Sequence, residues 1–186
     1  MTAPERQLVM DERAVSETLA RLAREIVDAV HPPETMSLLG IQRRGIQLAE
    51  RIADEIQAIT GSRPPVGSLD ITLYRDDLMA IGPRPVVGQT RLPQGGIDGR
   101  TMVVVDDVFY TGRTVRAALD ELSDFGRPAR ILLCVLVERT GRELPIRPDF
   151  VGRFIETEQG ERLDVLVPEL DGRLAVERVT PGRATN

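Results

Sequence analysis

The stretch VVVDDVFYTGRT, residues 103–114, decides the fold of this chain. Its β-branched apolar residues predict a buried strand over 101–105 that ends at the acidic pair Asp106-Asp107. After a short loop through Gly112, apolar residues recur at helical spacing as far as Leu122. A strand that leads through a polar loop into a helix is the repeating unit of α/β folds, so this stretch predicts that class.

The same order of elements recurs along the chain. Helices are predicted over 11–30, with Asp11 as the N-cap, and over 46–56, and strands over 36–41, 66–74 and 131–137. The run at 131–137 is apolar throughout, which is typical of a strand buried on both faces of a parallel sheet. Because 186 residues suit about one domain, we expect a single domain over 1–186, with a parallel sheet flanked by helices.

Two further regions complete the predicted architecture. The segment between the third and fourth strands is rich in Gly and Pro and is too long for an ordinary connection. We expect it to form a flexible hood over about 74–100. Short strands over 150–155, 163–167 and 174–179 predict an antiparallel β flap at the C-terminus.

The composition excludes several kinds of chemistry. All 24 basic residues are Arg, and a chain without Lys has no Schiff base and no phosphate loop that ends in Gly-Lys-Ser/Thr. One His and one Cys cannot form a structural zinc site, so His31 is expected in a solvated loop and Cys134 as a buried thiol. The net charge of −5 argues against a surface that is basic throughout, and no apolar run is long enough to span a membrane. The cytoplasm is the expected compartment.

The acidic pair and the loop after it predict a ligand site. Ligands of open α/β sheets bind beyond the carboxyl ends of the strands, where Asp106 and Asp107 suit ribose hydroxyls or a metal ion. The helix start at 111–114 offers backbone N–H groups and hydroxyls to a phosphate. A second strand–loop–helix junction at 40–45 suits another anion, so a ligand phosphorylated at both ends is expected. The alternative is a polar strand end with Thr111 as a helix cap.

The motif at 106–114 resembles the phosphoribosyl pyrophosphate (PRPP) motif of type I phosphoribosyltransferases. The segments DITLYRDD at 70–77 and RELPIR at 142–147 narrow the resemblance to pyrimidine operon regulators that are also uracil phosphoribosyltransferases. The similarity extends over about 11–152. It implies the type I phosphoribosyltransferase fold, phosphoribosyl transfer from PRPP to uracil with Mg²⁺, and UMP-dependent binding of the leader mRNA of a pyrimidine operon to promote transcription attenuation.

The resemblance assigns roles to individual residues. Asp106 and Asp107 are expected to hold the ribose hydroxyls, with the Mg²⁺ of PRPP near them, and Arg75 is expected to reach the pyrophosphate. The other substrate contacts are expected from the pyrophosphate and phosphate loops, which comprise Gln42, Arg43, Arg44, Gly45, Val108, Phe109, Tyr110, Thr111, Gly112, Arg113 and Thr114. Within this set, Arg43 stands where the family usually has a small hydroxyl residue.

The resemblance also implies where the base and the RNA bind. In related transferases the base lies near the segment that matches 148–152, so Phe150 and Val151 are candidates to contact it. Core packing is the alternative for Phe150. The RNA-binding surface is expected to include the arginines Arg21, Arg24, Arg142, Arg147 and Arg153.

Three departures from the family pattern bear on RNA binding. Gly141 replaces the family's His, and Glu156 and Glu158 add acids where phosphates would approach. A phosphoribosyltransferase without RNA binding is therefore a second hypothesis. A salvage enzyme for a purine base is a third, and the hood segment 74–77 disfavours it. The family implies a homodimer or a higher homo-oligomer.

Overall fold

A computed structural model describes residues 3–74 and 88–182. The elements, in chain order, are β1 (Glu5–Met10), α1 (Glu12–Ala29), β2 (Met36–Ile41), α2 (Arg44–Thr60), β3 (Val66–Leu69), β4 (Thr101–Phe109), α3 (Arg113–Phe125), β5 (Arg130–Arg139), β6 (Phe150–Ile155), β7 (Arg162–Leu166), α4 (Pro168–Asp171) and β8 (Ala175–Thr180). A helix connects β2 to β3 and another connects β4 to β5, in each case between strands that run parallel, which confirms the predicted α/β class.

The larger sheet is parallel and has the strand order β3-β2-β4-β5-β6. Strand β4 is central, so the acidic pair near its end lies at the middle of the carboxyl edge. The side chains of β4 alternate between two cores. Val103 and Val105 pack with α1 and α2, and Met102 and Val104 pack with α3. Helices therefore cover both faces of this sheet, as the apolar strands predicted.

The smaller sheet is antiparallel and has the order β1-β8-β7. Its last two strands are the predicted C-terminal flap. Strand β1 was missed because only Met10 of its six residues is buried, which leaves almost no apolar pattern to recognise. The backbone partners that make β1 a strand come from β8, at the other end of the chain.

The assignment of 150–155 to the antiparallel flap was wrong. These residues form β6, which pairs in parallel with β5 from Cys134↔Phe150 to Arg139↔Ile155. The segment 140–149 instead returns the chain to the amino end of β5, so that the next strand runs parallel to it. β6 is therefore the fifth strand of the main sheet, beside the site.

Two strands end at positions other than those predicted. β3 stops at Leu69 because the Asp70 carboxylate accepts hydrogen bonds from the backbone N–H of Thr72 (3.0 Å) and from its hydroxyl, which turns the chain. β4 continues past the acidic pair to Phe109, because its pairing with β5 continues as far as Glu138. Both acids are thus part of the strand.

Several local predictions are confirmed. Asp11 caps α1, where its Oδ1 accepts a hydrogen bond of 2.8 Å from the Ala14 N–H. Cys134 is buried, and burial raises the pKa of its thiol, as expected for an unreactive core residue. His31 is exposed. Within the described residues, no helix is long and apolar enough to cross a membrane.

Most of the predicted hood lies outside the described residues, which resume at Gly88. The chain that follows packs against the sheet. Ser68 and Arg91 exchange two backbone hydrogen bonds of 2.8 Å, and Ile97 is buried in the core on the α3 side.

Candidate active site

The acidic pair lies at the carboxyl end of the central strand. Asp106 is 5% exposed, and its Oδ1 accepts a hydrogen bond of 2.9 Å from the Asp107 N–H. Asp107 is partly exposed, and its Oδ1 accepts a bond of 2.8 Å from the Val108 N–H. The two carboxylates are therefore fixed by the strand's own backbone, and Asp107 is the one that a ligand at this edge meets first.

Burial raises the pKa of both carboxyls. For Asp106 the next largest cause is the neighbouring charge of Asp107, and its pKa lies well above the ordinary range. For Asp107 the backbone hydrogen bond and the Arg44 cation oppose the effect of burial but do not cancel it. Two adjacent carboxyls with raised pKa values reduce the stability of the folded chain when they ionise. Folding alone gives no reason for them, which marks this edge as a candidate functional site.

The loop after β4 is shaped to receive an anion at the start of α3. Gly112 caps the helix with a φ of 93°, and the first helical N–H groups follow it. The Thr111 hydroxyl accepts a hydrogen bond of 3.3 Å from the Arg113 N–H. The loop thus brings together the helix N-terminus, the Thr111 hydroxyl and Arg113, and its assignment to a phosphate stays a prediction.

The loop 111–114 is supported from behind by the segment after β5. The Thr111 carbonyl accepts hydrogen bonds from the N–H groups of Glu143 (3.1 Å) and Leu144 (3.0 Å). Arg113 donates to the Glu143 carboxylate through Nε at 3.0 Å and Nη2 at 2.8 Å. Both residues of this pair are half exposed.

The loop before α2 approaches the acidic pair closely because two glycines allow it. A Cβ at Gly40 would collide with the backbone of Ile46, and a Cβ at Gly45 would lie 2.5 Å from the Val105 carbonyl oxygen. The start of α2 therefore packs directly beside β4, and the loop residues Gln42, Arg43 and Arg44 lie at the same edge as the acids.

Two residues of this loop have well-defined partners, and the third is exposed. Gln42 donates through Nε2 to the Gln89 carbonyl at 3.2 Å, which connects the loop to the chain after the hood. Arg44 forms a bidentate ion pair with Asp171, with Nε–Oδ2 at 3.1 Å and Nη2–Oδ1 at 2.9 Å. Arg43 is exposed.

The smaller sheet supplies a wall of the site that the sequence did not predict. Asp171 ends α4, and Asp164 lies on β7 near enough to favour the charged form of Arg44, whose pKa is raised chiefly by Asp171. The only available signal was a pair of acids near the C-terminus, which is too common in sequences to indicate a site.

Some predicted residues are brought to the site and others are not. Phe109 is 2% exposed in the core on the α3 side, so only its backbone is available to a ligand. Phe150 is 8% exposed in the other core, which is the packing alternative that the sequence left open. Val151 is level with Asp106, since both pair with Val135 of the strand between them. Arg75 lies outside the described residues.

The predicted RNA-binding arginines divide into two groups. Arg21 and Arg153 donate to backbone carbonyls, Arg21 to Gly152 and Val151 and Arg153 to Val9, and Arg24 is exposed on the same helix as Arg21. Arg142 and Arg147 instead line an open groove of about 440 Å³ beside the carboxyl end of β5 and β6. The two groups lie on different elements.

The groove also contains residues that the sequence did not assign to RNA. Arg139 lies over the Tyr110 ring, 4.0 Å from its centroid, and Phe154 is 54% exposed at the groove wall. A Cβ at Gly141, which has a φ of 120°, would collide with the Tyr110 ring. Gly141 is thus the residue that lets this aromatic ring lie against the loop.

Comparisons with known proteins agree with this geometry. Residues 9–165 match the phosphoribosyl transferase domain. Proteins named bifunctional protein PyrR are similar over nearly their whole length. The one from Desulfosudis oleivorans is 48% identical over 97% of this chain and 100% of its own, and the one from Thermus thermophilus is 53% identical over 91% and 93%.

Solved structures support the fold. A hypoxanthine-guanine phosphoribosyltransferase from Bacillus anthracis superimposes with a TM-score of 0.71 over 94% of this chain and 98% of its own, at 17% identity. An identity this low shows the fold alone. Taken with the close relatives, it means that this chain belongs to the phosphoribosyltransferase domain family and, within it, to the family of bifunctional PyrR proteins.

Proposed function

We propose that this protein transfers the phosphoribosyl group of PRPP to uracil, giving UMP and pyrophosphate. We also propose that it binds the leader mRNA of a pyrimidine operon when UMP occupies the site, which promotes transcription attenuation. Membership of the bifunctional PyrR family supports both activities.

The observation that carries the enzymatic proposal is the position of the acidic pair between two anion-binding loops. Asp106 and Asp107 lie near the end of the central strand, the loop at 111–114 follows that strand, and the loop at 42–45 packs beside the acids through Gly45. PRPP has this layout, because its ribose carries a phosphate at one end and a pyrophosphate at the other. The loop at 111–114 is assigned to the 5-phosphate and the loop at 42–45 to the pyrophosphate.

The reaction forms a bond between a uracil ring nitrogen and the ribose C1 and breaks the bond from C1 to the pyrophosphate oxygen, while the nitrogen loses its proton. As the pyrophosphate leaves, positive charge develops on the ribose. Asp106 and Asp107 would accept hydrogen bonds from the ribose hydroxyls and stabilise that charge. Arg44 would bind the departing pyrophosphate, and Thr111 and Thr114 would hold the phosphate, so catalysis is mainly positioning and electrostatics.

The donor set of the site suits Mg²⁺ bound with PRPP. Mg²⁺ prefers oxygen ligands and is usually held by one or two carboxylates together with substrate phosphates, and Asp106 and Asp107 offer such carboxylates at the sheet edge. Bound there, Mg²⁺ would neutralise charge on the leaving pyrophosphate. Arg75 is a further candidate to contact the pyrophosphate.

The transferase proposal is tested by supplying PRPP and Mg²⁺ with a panel of labelled bases: uracil, orotate, adenine, guanine and hypoxanthine. We expect UMP from uracil and no nucleotide from the other bases. Product from a purine base would overturn the pyrimidine assignment, and no product from any base would overturn the transferase.

The groove beside the site supports RNA binding. Arg142 and Arg147 are available for phosphates, and the exposed Phe154 ring offers a face on which an unpaired base can stack. We assign this groove to the RNA, together with Arg21, Arg24 and Arg153 on the neighbouring α1 and β6. We further propose that the protein acts in the cytoplasm, which supplies both RNA and PRPP.

A phosphoribosyltransferase without RNA binding is the second candidate, and one observation favours it. Glu156 and Glu158 are exposed just after β6, near the groove, where their charges would repel RNA phosphates. Filter binding of a pyrimidine leader RNA, with and without UMP and over a range of salt concentrations, separates the two candidates. Salt-dependent binding that UMP strengthens supports the regulator, and no binding leaves the transferase alone.

The family relation further suggests a homodimer or a dimer of dimers. Light scattering of the free protein would measure this directly, and a monomer at micromolar concentration would contradict it.

A further inference from the structure

We propose that Asp171 is a positioning residue for the pyrophosphate of PRPP, because its carboxylate holds the Arg44 guanidinium in a fixed orientation at the edge of the site. This inference rests on the proposed transferase function. It adds to the site a residue of α4, the short helix that connects β7 to β8 of the smaller sheet. No other residue of α4 is assigned a role in the reaction.

The geometry of the pair is that of an oriented guanidinium. Both Asp171 oxygens accept hydrogen bonds, from Nε at 3.1 Å and from Nη2 at 2.9 Å, so the plane of the Arg44 fork is set by two parallel contacts. The side chains are 33% and 19% exposed, which places the pair partly out of water. Asp171 occupies the Nε–Nη2 edge of the guanidinium, and among the described residues no hydrogen bond is made by Nη1, so the Nη1–Nη2 edge is the one that faces an incoming anion.

Asp171 is itself held rigidly. Its Oδ2 accepts a hydrogen bond of 2.9 Å from the Val167 N–H, and its own N–H donates to the Val167 carbonyl at 2.7 Å. The turn begins with Pro168 and ends at Gly172 with a φ of 76°, so its backbone is well defined at both ends. The carboxylate is therefore oriented before Arg44 meets it.

The charges around Arg44 explain why it needs such a partner. Asp107 and Asp164 also attract the guanidinium, but in the described part of the chain the ion pair is with Asp171. A guanidinium released from Asp171 would be drawn to Asp107, where it would occupy a carboxylate that is assigned to the ribose hydroxyls. Asp171 thus keeps Arg44 available to the pyrophosphate and Asp107 available to the ribose.

A second ion pair between the same two helices provides a matched control. Arg51 of α2 pairs with Glu169 of α4 at 2.9 Å, two residues before Asp171 but away from the loop. If Asp171 mattered only by attaching α4 to α2, neutralising Glu169 would have a similar effect. If Asp171 orients Arg44, the two substitutions differ.

The test compares ligands that do and do not carry pyrophosphate. Calorimetric titration of wild type, Asp171→Asn and Glu169→Gln with Mg-pyrophosphate, Mg-PRPP and UMP gives the affinities. We expect Asp171→Asn to weaken pyrophosphate and PRPP binding about tenfold and to leave UMP binding within about twofold, since UMP has no pyrophosphate for Arg44 to bind. Glu169→Gln should leave all three affinities unchanged.

The variant Arg44→Lys allows a double-mutant cycle with Asp171→Asn, because a Lys cannot form the bidentate pair. Adding Asp171→Asn to Arg44→Lys should change PRPP affinity no further. Equal losses for UMP and PRPP in Asp171→Asn, additive losses in the double variant, or no loss at all would each overturn the positioning role. A wild type that binds neither pyrophosphate nor PRPP would instead overturn the proposed transferase, and with it this inference.

Discussion

The two loops that flank the acidic pair are held by different kinds of contact. Each has an arginine paired with an acid from a later part of the chain. Arg44 pairs with Asp171, and the two side chains are 33% and 19% exposed, whereas Arg113 pairs with Glu143, and these are 50% and 51% exposed. Breaking an exposed pair costs about 0–1 kcal/mol, and removing one partner of a less exposed pair costs more because the other charge is left uncompensated, so we expect Arg44 to be held more firmly than Arg113.

The difference suggests different behaviour on binding a ligand. The loop at 42–45 is oriented in advance, which suits a group that must bind pyrophosphate as it leaves. The loop at 111–114 is held by backbone bonds from Glu143 and Leu144, and the ion pair of its Arg113 with Glu143 is half exposed. Those backbone bonds also attach the loop at 111–114 to the segment that carries Arg142 and Arg147, so we expect a change at one to affect the other.

The largest expected effect is at Asp107, which lies between the two loops. Replacing it with Asn removes the charge that is assigned to the ribose and should lower kcat/KM for uracil transfer about 100-fold or more. Initial rates at varied PRPP concentration measure this. Unchanged activity of Asp107→Asn would contradict the assignment of Asp107 to the ribose hydroxyls, and the two loops would then not flank a ribose site.

Asp106 and Asp171 should respond to pH in opposite ways. Burial raises the pKa of Asp106, so the folded state binds its proton more tightly than the unfolded chain, and stability is lost as pH rises from the ordinary carboxyl range through the raised pKa. Its hydrogen bond to Arg44 lowers the pKa of Asp171, so that stability is present above the ordinary carboxyl pKa and is lost as pH falls below it.

Thermal melts of two variants separate these contributions. Asp106→Asn should raise stability by about 1 kcal/mol at pH 7.5 and match the wild type at acid pH, while it abolishes transfer. Asp171→Asn should lower stability at pH 7.5, and the deficit should shrink as the pH falls. If both variants changed in stability in the same direction with pH, the assigned pKa shifts of Asp106 and Asp171 would be contradicted.

Gly141 tests the attachment of the groove to the phosphate loop. Gly141→Ala places a Cβ against the Tyr110 ring at a φ of 120°, and we expect a loss of about 1–2 kcal/mol together with weaker RNA binding. Gly61→Ala is the control, because Gly61 also has a positive φ, 79°, but no atom near its Cβ position. Equal losses in stability would mean that the Tyr110 contact contributes nothing.

The smallest effect is expected at Glu143. Glu143→Gln should change stability by less than about 1 kcal/mol, because the pair with Arg113 is half exposed. It should nonetheless reduce the factor by which UMP strengthens RNA binding, measured by filter binding. Asp120→Asn, which neutralises the similarly exposed pair with Arg116 on α3, should leave that factor unchanged. If both variants reduced the factor by which UMP strengthens RNA binding, the cause would be the change in net charge, and a specific role of Glu143 would be contradicted.

The features that the sequence predicted well are those written in short patterns. The apolar run of β5, the cap at Asp11, the acidic pair and the glycine-containing loops each depend on neighbours a few residues away. The main sheet and the placement of both loops at its carboxyl edge follow from those patterns.

The features that were missed depend on contacts between distant parts of the chain. β1 is a strand because residues between Glu5 and Met10 pair with β8, and its sequence has no alternation of apolar and polar residues that would mark a strand. β6 joins the parallel sheet because the loop 140–149 carries the chain back along β5, so that Phe150 pairs with Cys134. Asp171 reaches Arg44 across 127 residues, and no local signal marks either as a partner of the other. Phe150 shows the same limit, since an aromatic residue near a site packs in the core as readily as it contacts a base.

The central claim is that the two loops bind opposite ends of one ligand, and a competition measurement tests it most directly. Ribose 5-phosphate and Mg-pyrophosphate are titrated separately, then each in the presence of the other, and then with PRPP. The account predicts that the two fragments bind together, without mutual competition, and that PRPP displaces both. Fragments that exclude each other, or a fragment that PRPP does not displace, would contradict it.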